Sequence, residues 1–222
     1  MEALQTNSLL TTEDTLAKGL LANVRYPWEA LPLIGQYIIQ LISTIDLSDF
    51  NEVADRVFVH KSVQLARSAC LIGPAIIDAD TEIRHNAFIR GNALIGKHCV
   101  VGNSSEIKNS VLIARCQVPH YNYVGDAILG VGAHLGAGSI VSNLKADKSN
   151  IVVRLGDERL ETGLRKFGAI VGDGADIGCN SVLAPGSVIG KGTRVYPLSL
   201  VRGYVPSHSI YKHQGEVVDI HD

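Results

Sequence analysis

Aliphatic side chains recur every six residues through most of the chain after residue 59. From Val59 to Ile113 no polar residue interrupts this series, and the same period resumes at Leu129 and again at Val171. A small residue, usually Ala, Ser or Thr, stands two positions before most of these aliphatic residues. The period matches neither an α-helix nor an alternating strand. It is typical of a hexapeptide β-solenoid, in which each hexad forms one face of a triangular coil. We therefore expect a mainly β protein, a parallel β-helix of about seven stacked coils.

The six-residue register breaks twice after it begins, and each break predicts a loop that leaves a corner of the solenoid. We place the solenoid at 53–206 and the two excursions at about 114–128 and 142–168. Within the second excursion, turn residues at 155–158 stand between apolar runs, which predicts a β-hairpin arm embracing the next subunit. Because loops on a rigid scaffold commonly carry function, we expect the chemistry in these two segments.

The first 52 residues follow a helical pattern instead. Apolar residues such as Ile34 and Ile38 recur with helical spacing, and Trp28 precedes them. We expect this N-terminal helical segment, 1–52, to pack on the solenoid or on another subunit. Residues 207–222 are polar and are assigned to a C-terminal tail.

Composition and charge exclude several classes of protein. Charged residues make up 19% of the chain and the formal net charge is -2, which excludes the basic surface of a nucleic-acid-binding domain. No apolar run approaches the roughly 18 residues that a membrane span needs. The N-terminus lacks the positive region of a signal peptide. The four cysteines have no Cys-x-x-Cys spacing, which favours buried thiols over disulfides or a zinc site. We expect a cytoplasmic protein.

Between residues 101 and 143 the chain carries a series of short strings: Val101–Asn103, Glu106–Lys108, His120–Asp126, Gly136–Ser139 and Asn143. These strings resemble the acetyltransferase domain of the bacterial bifunctional glucosamine-1-phosphate acetyltransferase / N-acetylglucosamine-1-phosphate uridylyltransferase family. The segment 142–169 is more similar to archaeal-type bifunctional sugar-1-phosphate nucleotidylyltransferases, which also carry an acetyltransferase half. The resemblance covers about residues 83–200.

The resemblance implies a left-handed β-helix, a homotrimer with sites between subunits, and acetyl-CoA as co-substrate. It implies transfer of the acetyl group to the amine of a hexosamine 1-phosphate, in metabolism of the UDP-N-acetylglucosamine type. No metal is predicted. The nucleotidyltransferase domain of those relatives has no counterpart in the helical N-terminal segment, so we expect that domain to be absent.

The same resemblance assigns roles to five residues. His120 matches the general base, and imidazole titrates in the range that deprotonating an amine requires. Asn143, the second candidate catalytic residue, and Tyr123 match residues that hydrogen-bond the sugar and orient its amine. Arg90 and Lys108 match the positions that hold the sugar phosphate, to which their cationic groups are suited.

Five further positions are candidates for contacts to the substrate or to CoA. A backbone N–H at Ala137 or Gly138 is a candidate to bind the thioester oxyanion. Ala137 and Cys179 occupy positions that face CoA in the family. Lys145 and Lys148 are candidates to meet phosphates of CoA or of the substrate.

Other interpretations remain open at this point. His134 stands where the bacterial family has an Asn that contacts the amino sugar, so a different acceptor is an alternative. A non-catalytic or regulatory trimeric scaffold related to UDP-N-acetylglucosamine pyrophosphorylase is another. A zinc-dependent γ-type carbonic anhydrase would use His85 and His120, but its third His would fall at Gly125, so a complete zinc site is not expected.

Overall fold

The computed structural model of the chain describes residues 1–212 and 215–219. Its helices are short and lie near the N-terminus: α1 (Thr6–Leu9), α2 (Lys18–Leu21) and α3 (Ile34–Thr44), with 3-10 turns at Glu2–Leu4 and Pro27–Leu33. Among the described residues, no helix has the length and apolar character needed to cross a membrane.

The regular secondary structure after residue 49 consists of strands, apart from the turns between them. In chain order they are β1 (Phe50–Ala54), β2 (Val57–His60), β3 (Gln64–Leu65), β4 (Cys70–Ile72), β5 (Ala75–Ile77), β6 (Glu82–Ile83), β7 (Phe88–Arg90), β8 (Ala93–Ile95), β9 (Val100–Asn103), β10 (Glu106–Leu112), β11 (Gln117–His120), β12 (Tyr123–Leu129), β13 (His134–Leu135), β14 (Ile140–Val141), β15 (Val152–Leu155), β16 (Glu158–Glu161), β17 (Ala169–Val171), β18 (Asp176–Ile177), β19 (Val182–Leu183), β20 (Ser187–Ile189), β21 (Arg194–Val195), β22 (Leu200–Val201), β23 (Tyr204–Val205), β24 (Ser209–Tyr211) and β25 (Val217–Asp219).

Apart from β1, β15, β16 and β25, the strands stack in parallel into three walls, which confirms the predicted β-solenoid. The covered wall contains β2, β5, β8, the second halves of β10 and β12, β17, β20 and β23. The polar wall contains β3, β6, β9, β11, β13, β18, β21 and β24. The open wall contains β4, β7, the first halves of β10 and β12, β14, β19 and β22. In the segment expected to be a tail, β24 still pairs in parallel with β21, so the solenoid continues past residue 206.

Between the walls, the hexad residues form one continuous core. Each inward aliphatic residue stacks on its equivalent one coil away, as Ile77 does on Ile95 and Ile83 on Val101. These four residues are fully buried. Burying one such side chain contributes about 1.5–3 kcal/mol, so the repeat supplies most of the driving force for folding.

The first break in the hexad register is not an excursion. Strands β11 and β12, which lie within the expected loop at 114–128, remain in the walls of the solenoid. The break arises because the corner between the open and covered walls is one residue shorter in two successive coils. Core positions there are Ile107 and Leu112, then Val124 and Leu129, five residues apart instead of six. We call this edge, at residues 108–111 and 125–128, the short corner.

This shortened corner corrects one assignment along the strand. The six-residue period places Ile113 in the core, but Leu112 takes that position and stacks between Ile95 and Leu129. Ile113 instead joins the cluster beneath the N-terminal helices. The chain offers three adjacent aliphatic residues here, so the geometry of the corner decides which one turns inward.

The second break is an excursion, and it contains the predicted hairpin. Strands β15 and β16 pair antiparallel, with Arg154 directly opposite Arg159. Ile151 and Val153 at the base of this hairpin arm (144–166) are fully buried in the same cluster as Val188 of the covered wall. The base of the arm therefore packs on its own solenoid, and contact of the arm with the next subunit stays a prediction.

The N-terminal segment covers one wall of its own solenoid. Trp28 stacks on Tyr26, with ring centroids 4.7 Å apart, and tilts against Phe167 at 5.8 Å. Ile34 and Ile38 are fully buried in the cluster that includes the outward residues of the covered wall. The apolar face of the N-terminal segment thus packs on the covered wall of the same chain.

Among the described residues, no segment covers the open wall in this way. Its outward column carries Glu106 between Phe88 and Tyr123. The other side chains of this column are largely apolar and are half-buried or exposed: Cys70, Phe88, Tyr123, Ile140, Val182 and Leu200. Leu200 is 51% exposed. The corresponding outward column of the polar wall is largely charged or amide-bearing, as at Glu82, Gln117, Asp176 and Arg194.

Candidate functional site

A polar cluster centred on Asp126 occupies the short corner. The Lys108 Nζ atom lies 3.1 Å from Asp126 Oδ2, and Asn109 Nδ2 donates to Asp126 Oδ1 at 2.8 Å. The side-chain amide of Asn143 donates to the same carboxylate and also lies 3.3 Å from the Tyr123 hydroxyl. Asp126 is only 5% exposed. A buried carboxylate is stable when it is paired and fully hydrogen-bonded, and three donors from neighbouring coils meet that requirement here.

The local backbone explains why the cluster forms at this corner. Asn109 and Asp126 have positive φ angles of 46° and 50°, a conformation that Asn and Asp tolerate better than most residues. Gly125 leaves room for the ring of Tyr123 to fold back, because a Cβ atom at Gly125 would lie 2.5 Å from the Tyr123 hydroxyl oxygen. The string Tyr-Val-Gly-Asp at 123–126 thus has a structural reason for each of its polar or small residues.

A second ion pair borders this cluster on the open wall. Arg90 Nη1 lies 2.8 Å from Glu106 Oε1. Glu106 raises the pKa of the Arg90 guanidinium by hydrogen bonding and by its charge. Burial raises the pKa of Tyr123, and the negative charges of Glu106 and Asp126 raise it further. Tyr123 is therefore a neutral hydroxyl that can donate or accept a hydrogen bond.

His120 lies at the opposite edge of the open wall, where it meets the polar wall. Its backbone is held on both sides: its N–H donates to Asn122 Oδ1 at 3.0 Å, and its carbonyl accepts from the Gly138 N–H at 2.9 Å. Asn122 is buried and donates in turn to the Gly136 carbonyl at 2.8 Å. The exposed His120 ring makes no hydrogen bond to any of the described residues. A fixed backbone with a free ring suits a side chain that acts on a ligand.

The candidate CoA-side residues stack above His120. Gly138 bonds to His120, and the next coil adds Asn180, whose N–H donates to the Ala137 carbonyl at 2.8 Å. The half-buried Ala137 and the exposed Cys179 therefore lie on the same edge as His120. The Gly138 N–H is already used by His120, which leaves the N–H of Ala137 as the better candidate for an oxyanion.

The two candidate lysines lie on the other edge, at the start of the hairpin arm. Lys145 Nζ donates to the Asn150 carbonyl at 2.8 Å and to Ser149 Oγ at 3.2 Å. It also lines a cavity beside Asn143. Lys148 is exposed in the turn that follows and does not line that cavity.

Within residues 1–212 and 215–219 of a single chain, no group of three or more His, Cys, Asp or Glu side chains is placed to hold a metal ion. His134, noted as a departure from the bacterial pattern, pairs with Asp176 on the polar wall, with 2.7 Å between Nδ1 and Oδ1.

The structure therefore divides the candidate residues between the two edges of the open wall. Arg90, Lys108, Tyr123 and Asn143 are gathered at or near the short corner. His120, Ala137, Gly138 and Cys179 are gathered at the other edge. Sequence reasoning gave no role to Asp126, Asn109 or Glu106. Each of the three lies about one coil, 16 to 18 residues, from a residue that it contacts. Sequence analysis could identify them from that separation only if the length of each coil were known.

Comparison with known proteins identifies relatives of this chain. A family model described as the GMPPB C-terminal domain matches residues 71–155. A bifunctional sugar-1-phosphate nucleotidylyltransferase/acetyltransferase of Sulfurisphaera tokodaii is 26% identical over 198 residues, which cover 88% of this chain and 49% of the relative. This chain thus spans about half the length of that relative.

A relative of comparable length is named an uncharacterized acetyltransferase, YaiX, of Escherichia coli. It is 29% identical over 202 residues, covering 81% of this chain and 84% of the relative. Among solved structures, the acetyltransferase domain of PglB from Neisseria gonorrhoeae, in complex with acetyl coenzyme A, matches with a TM-score of 0.39 and 10% identity, over 86% of this chain and 66% of that one. The sequence matches confirm the predicted resemblance to hexapeptide acetyltransferases and to the bifunctional nucleotidylyltransferase/acetyltransferases.

Proposed function

We propose that the protein is a CoA-dependent N-acetyltransferase that moves the acetyl group of acetyl-CoA to the amine of a hexosamine 1-phosphate. The observation that carries this proposal is the polar cluster of Lys108, Tyr123, Asp126 and Asn143, assembled from successive coils of a hexapeptide solenoid. The names of the relatives support acetyl transfer on a sugar phosphate.

The reaction needs a neutral amine, and His120 supplies the base. The amine nitrogen attacks the thioester carbonyl while the His120 ring accepts the proton that the nitrogen loses. The C–S bond then breaks, and the proton returns to the leaving thiolate, so that the products are an amide and free CoA. Asn143 and the Tyr123 hydroxyl orient the amino sugar. The N–H of Ala137 stabilises the oxyanion of the tetrahedral intermediate.

The division of the site supports a homotrimer as the active form. In one chain, His120 and the Asp126 cluster lie at different edges of the open wall, and the apolar column between them is uncovered. When open walls of neighbouring subunits pack together, the His120 edge of one subunit meets the short corner of the next. That assembly buries the apolar column and completes three equivalent sites between subunits.

The test is a thiol-release assay with acetyl-CoA and a panel of hexosamine 1-phosphates, comparing wild type with His120→Ala. We expect release that depends on the amino sugar and falls about 100-fold or more in the variant, the lower range for a general base. His98→Ala is the matched control, since His98 is also exposed but lies on another corner beside Asp80. Its turnover should equal that of wild type.

Two outcomes would contradict the proposal. A folded trimer that releases no thiol with any amino sugar would favour either a non-catalytic scaffold or an acyltransferase with another acceptor. Retained CoA binding would favour the acyltransferase over the scaffold. Full turnover in His120→Ala would refute the assigned base while leaving the activity itself intact.

A further inference from the structure

A cavity of about 490 Å³ opens where the hairpin arm meets the last coils of the solenoid. Its walls include Leu144, Lys145, Val152, Arg154, Pro185 and Arg202. Leu144 directly follows Asn143, so the cavity begins where the Asp126 cluster ends. The volume lies within the range of small-molecule binding sites.

The side chains that line the cavity include cations but no anions. Lys145, Arg154 and Arg202 line it, and no carboxylate is among the lining residues. None of these three cations forms a salt bridge with a described residue. Arg154 also lies directly opposite Arg159 in the hairpin, a like-charge pair on the face that carries Glu161 one pair along.

The two cations that the sequence predicts to hold the sugar phosphate are, in contrast, already paired with carboxylates. Arg90 pairs with Glu106, and Lys108 pairs with the buried Asp126. A phosphate dianion placed between them would face two carboxylates as well as two cations. Electrostatics therefore favours the cavity over the Arg90–Lys108 pair as the place where phosphate is held.

We propose that this cavity binds the diphosphate of a nucleoside-diphosphate amino sugar, with the sugar amine directed toward Asn143 and Tyr123. The inference rests on the proposed acetyl transfer for the amino-sugar part. It extends the acceptor from a hexosamine 1-phosphate to its nucleotidylated form, in which the same phosphate is half of the diphosphate. One phosphate would engage one or two cations. Three cations with apolar surface at Leu144, Val152 and Pro185 suit a diphosphate with a nucleoside attached.

The cavity adjoins Asn143 at the short corner, so a diphosphate held there would place an attached amino sugar beside the residues that orient its amine. Ala137 and Cys179, the candidate CoA contacts, lie at the other edge of the open wall in the same chain, but in the proposed trimer that edge of a neighbouring subunit meets the short corner. CoA also carries a diphosphate and a nucleoside, so binding of CoA at the cavity is the competing outcome of the test.

The test is isothermal titration calorimetry of the full chain with UDP, GDP and CoA as separate probes. Wild type is compared with the double variant Arg154→Gln/Arg202→Gln. We expect wild type to bind UDP or GDP, and the double variant to bind it about tenfold or more weakly, since each charge-assisted hydrogen bond is strong. CoA affinity should not change in the double variant.

The matched control is Arg115→Gln/Arg194→Gln, which removes the same charge from exposed positions outside the cavity. Its nucleotide affinity should stay within about twofold of wild type, because distant surface charges are screened. Circular dichroism of each variant verifies that the fold is retained.

Three results would overturn the inference: no binding of UDP or GDP to wild type, equal binding to the double variant, or a loss of CoA affinity alone. The thiol-release assay is independent of this measurement. Nucleotide binding without turnover would refute the proposed function and leave the cavity assignment standing. Turnover of hexosamine 1-phosphates without nucleotide binding would support the proposed function and refute the assignment of the cavity.

Discussion

The covered wall and the open wall are built from the same repeat but differ in what lies on them. Outward residues of the covered wall, such as Ile76, Leu94 and Val188, are almost fully buried beneath the N-terminal segment and the arm. Outward residues of the open wall, such as Ile140 and Leu200, are also apolar, yet they stay half-buried or exposed. A repeat alone thus does not determine which face is complete. One face is covered by its own chain, and in the proposed trimer the other face is covered by neighbouring copies.

The largest expected effect concerns the covered wall. Trp28 is 3% exposed and contacts Tyr26 and Phe167. Trp28→Ala should reduce the free energy of unfolding by about 3–5 kcal/mol, because it opens a large cavity between the N-terminal segment and the solenoid. Chemical denaturation followed by circular dichroism measures this change. Leu33→Ala, at an exposed position in the same turn, should cost about 0.5 kcal/mol or less. Equal stability of both variants would mean that the segment does not stabilise the wall.

The next effect concerns the open wall. Leu200→Glu should weaken self-association about tenfold to a hundredfold, because it places a charge in an apolar interface, while the fold of each subunit is retained. Sedimentation velocity across a concentration series measures the association. Ile39→Glu is the control, since Ile39 is 46% exposed on α3, away from the open wall. If both variants remain trimeric, the open wall is not the interface between subunits.

The smallest expected effect is on the pKa values of two tyrosines, one in the N-terminal segment and one on the open wall. Burial raises the pKa of Tyr37, within the N-terminal segment, and burial together with Glu106 and Asp126 raises the pKa of Tyr123. Glu106→Gln should therefore lower the pKa of Tyr123 toward its ordinary value and leave that of Tyr37 unchanged. NMR of ring-labelled tyrosine measures both groups, and a shift of Tyr37 would contradict the assignment.

The same pKa shift has a defined consequence for stability. The folded protein holds the Tyr123 proton more tightly than the unfolded chain does. Its contribution is therefore fully present below pH ~10 and is lost as the pH rises through the raised value. Denaturation of wild type above that pH should show a steeper loss than denaturation of Tyr123→Phe.

The sequence predicts the core of this fold well because the hexad imposes a strong pattern. It fails at the short corner, where Val111, Leu112 and Ile113 are all aliphatic and give no contrast between inside and outside. Since a one-residue shortening repeats in two coils, the break resembles a loop in the sequence. Only the strand register shows that the chain never leaves the wall.

The candidate site is predictable to a similar degree. The resemblance to known acetyltransferases identifies Lys108, Tyr123 and Asn143, which the structure brings together. It does not identify Asp126 as their common partner, because that contact depends on a separation of 17 or 18 residues along the chain. Nor does it separate Lys145, which lines a cavity, from Lys148, which does not.

The two ends of the solenoid show how growth of the assembly is directed. Strand β1 pairs antiparallel with β2 at one end, and β25 pairs antiparallel with β24 at the other. An uncovered parallel edge would be a template on which a second solenoid could continue the same ladder. The two reversed strands end the parallel ladder of the covered wall at one end of the solenoid and that of the polar wall at the other, which disfavours continuation of these walls by a second copy. In the proposed trimer, association instead uses the open wall and closes as a ring.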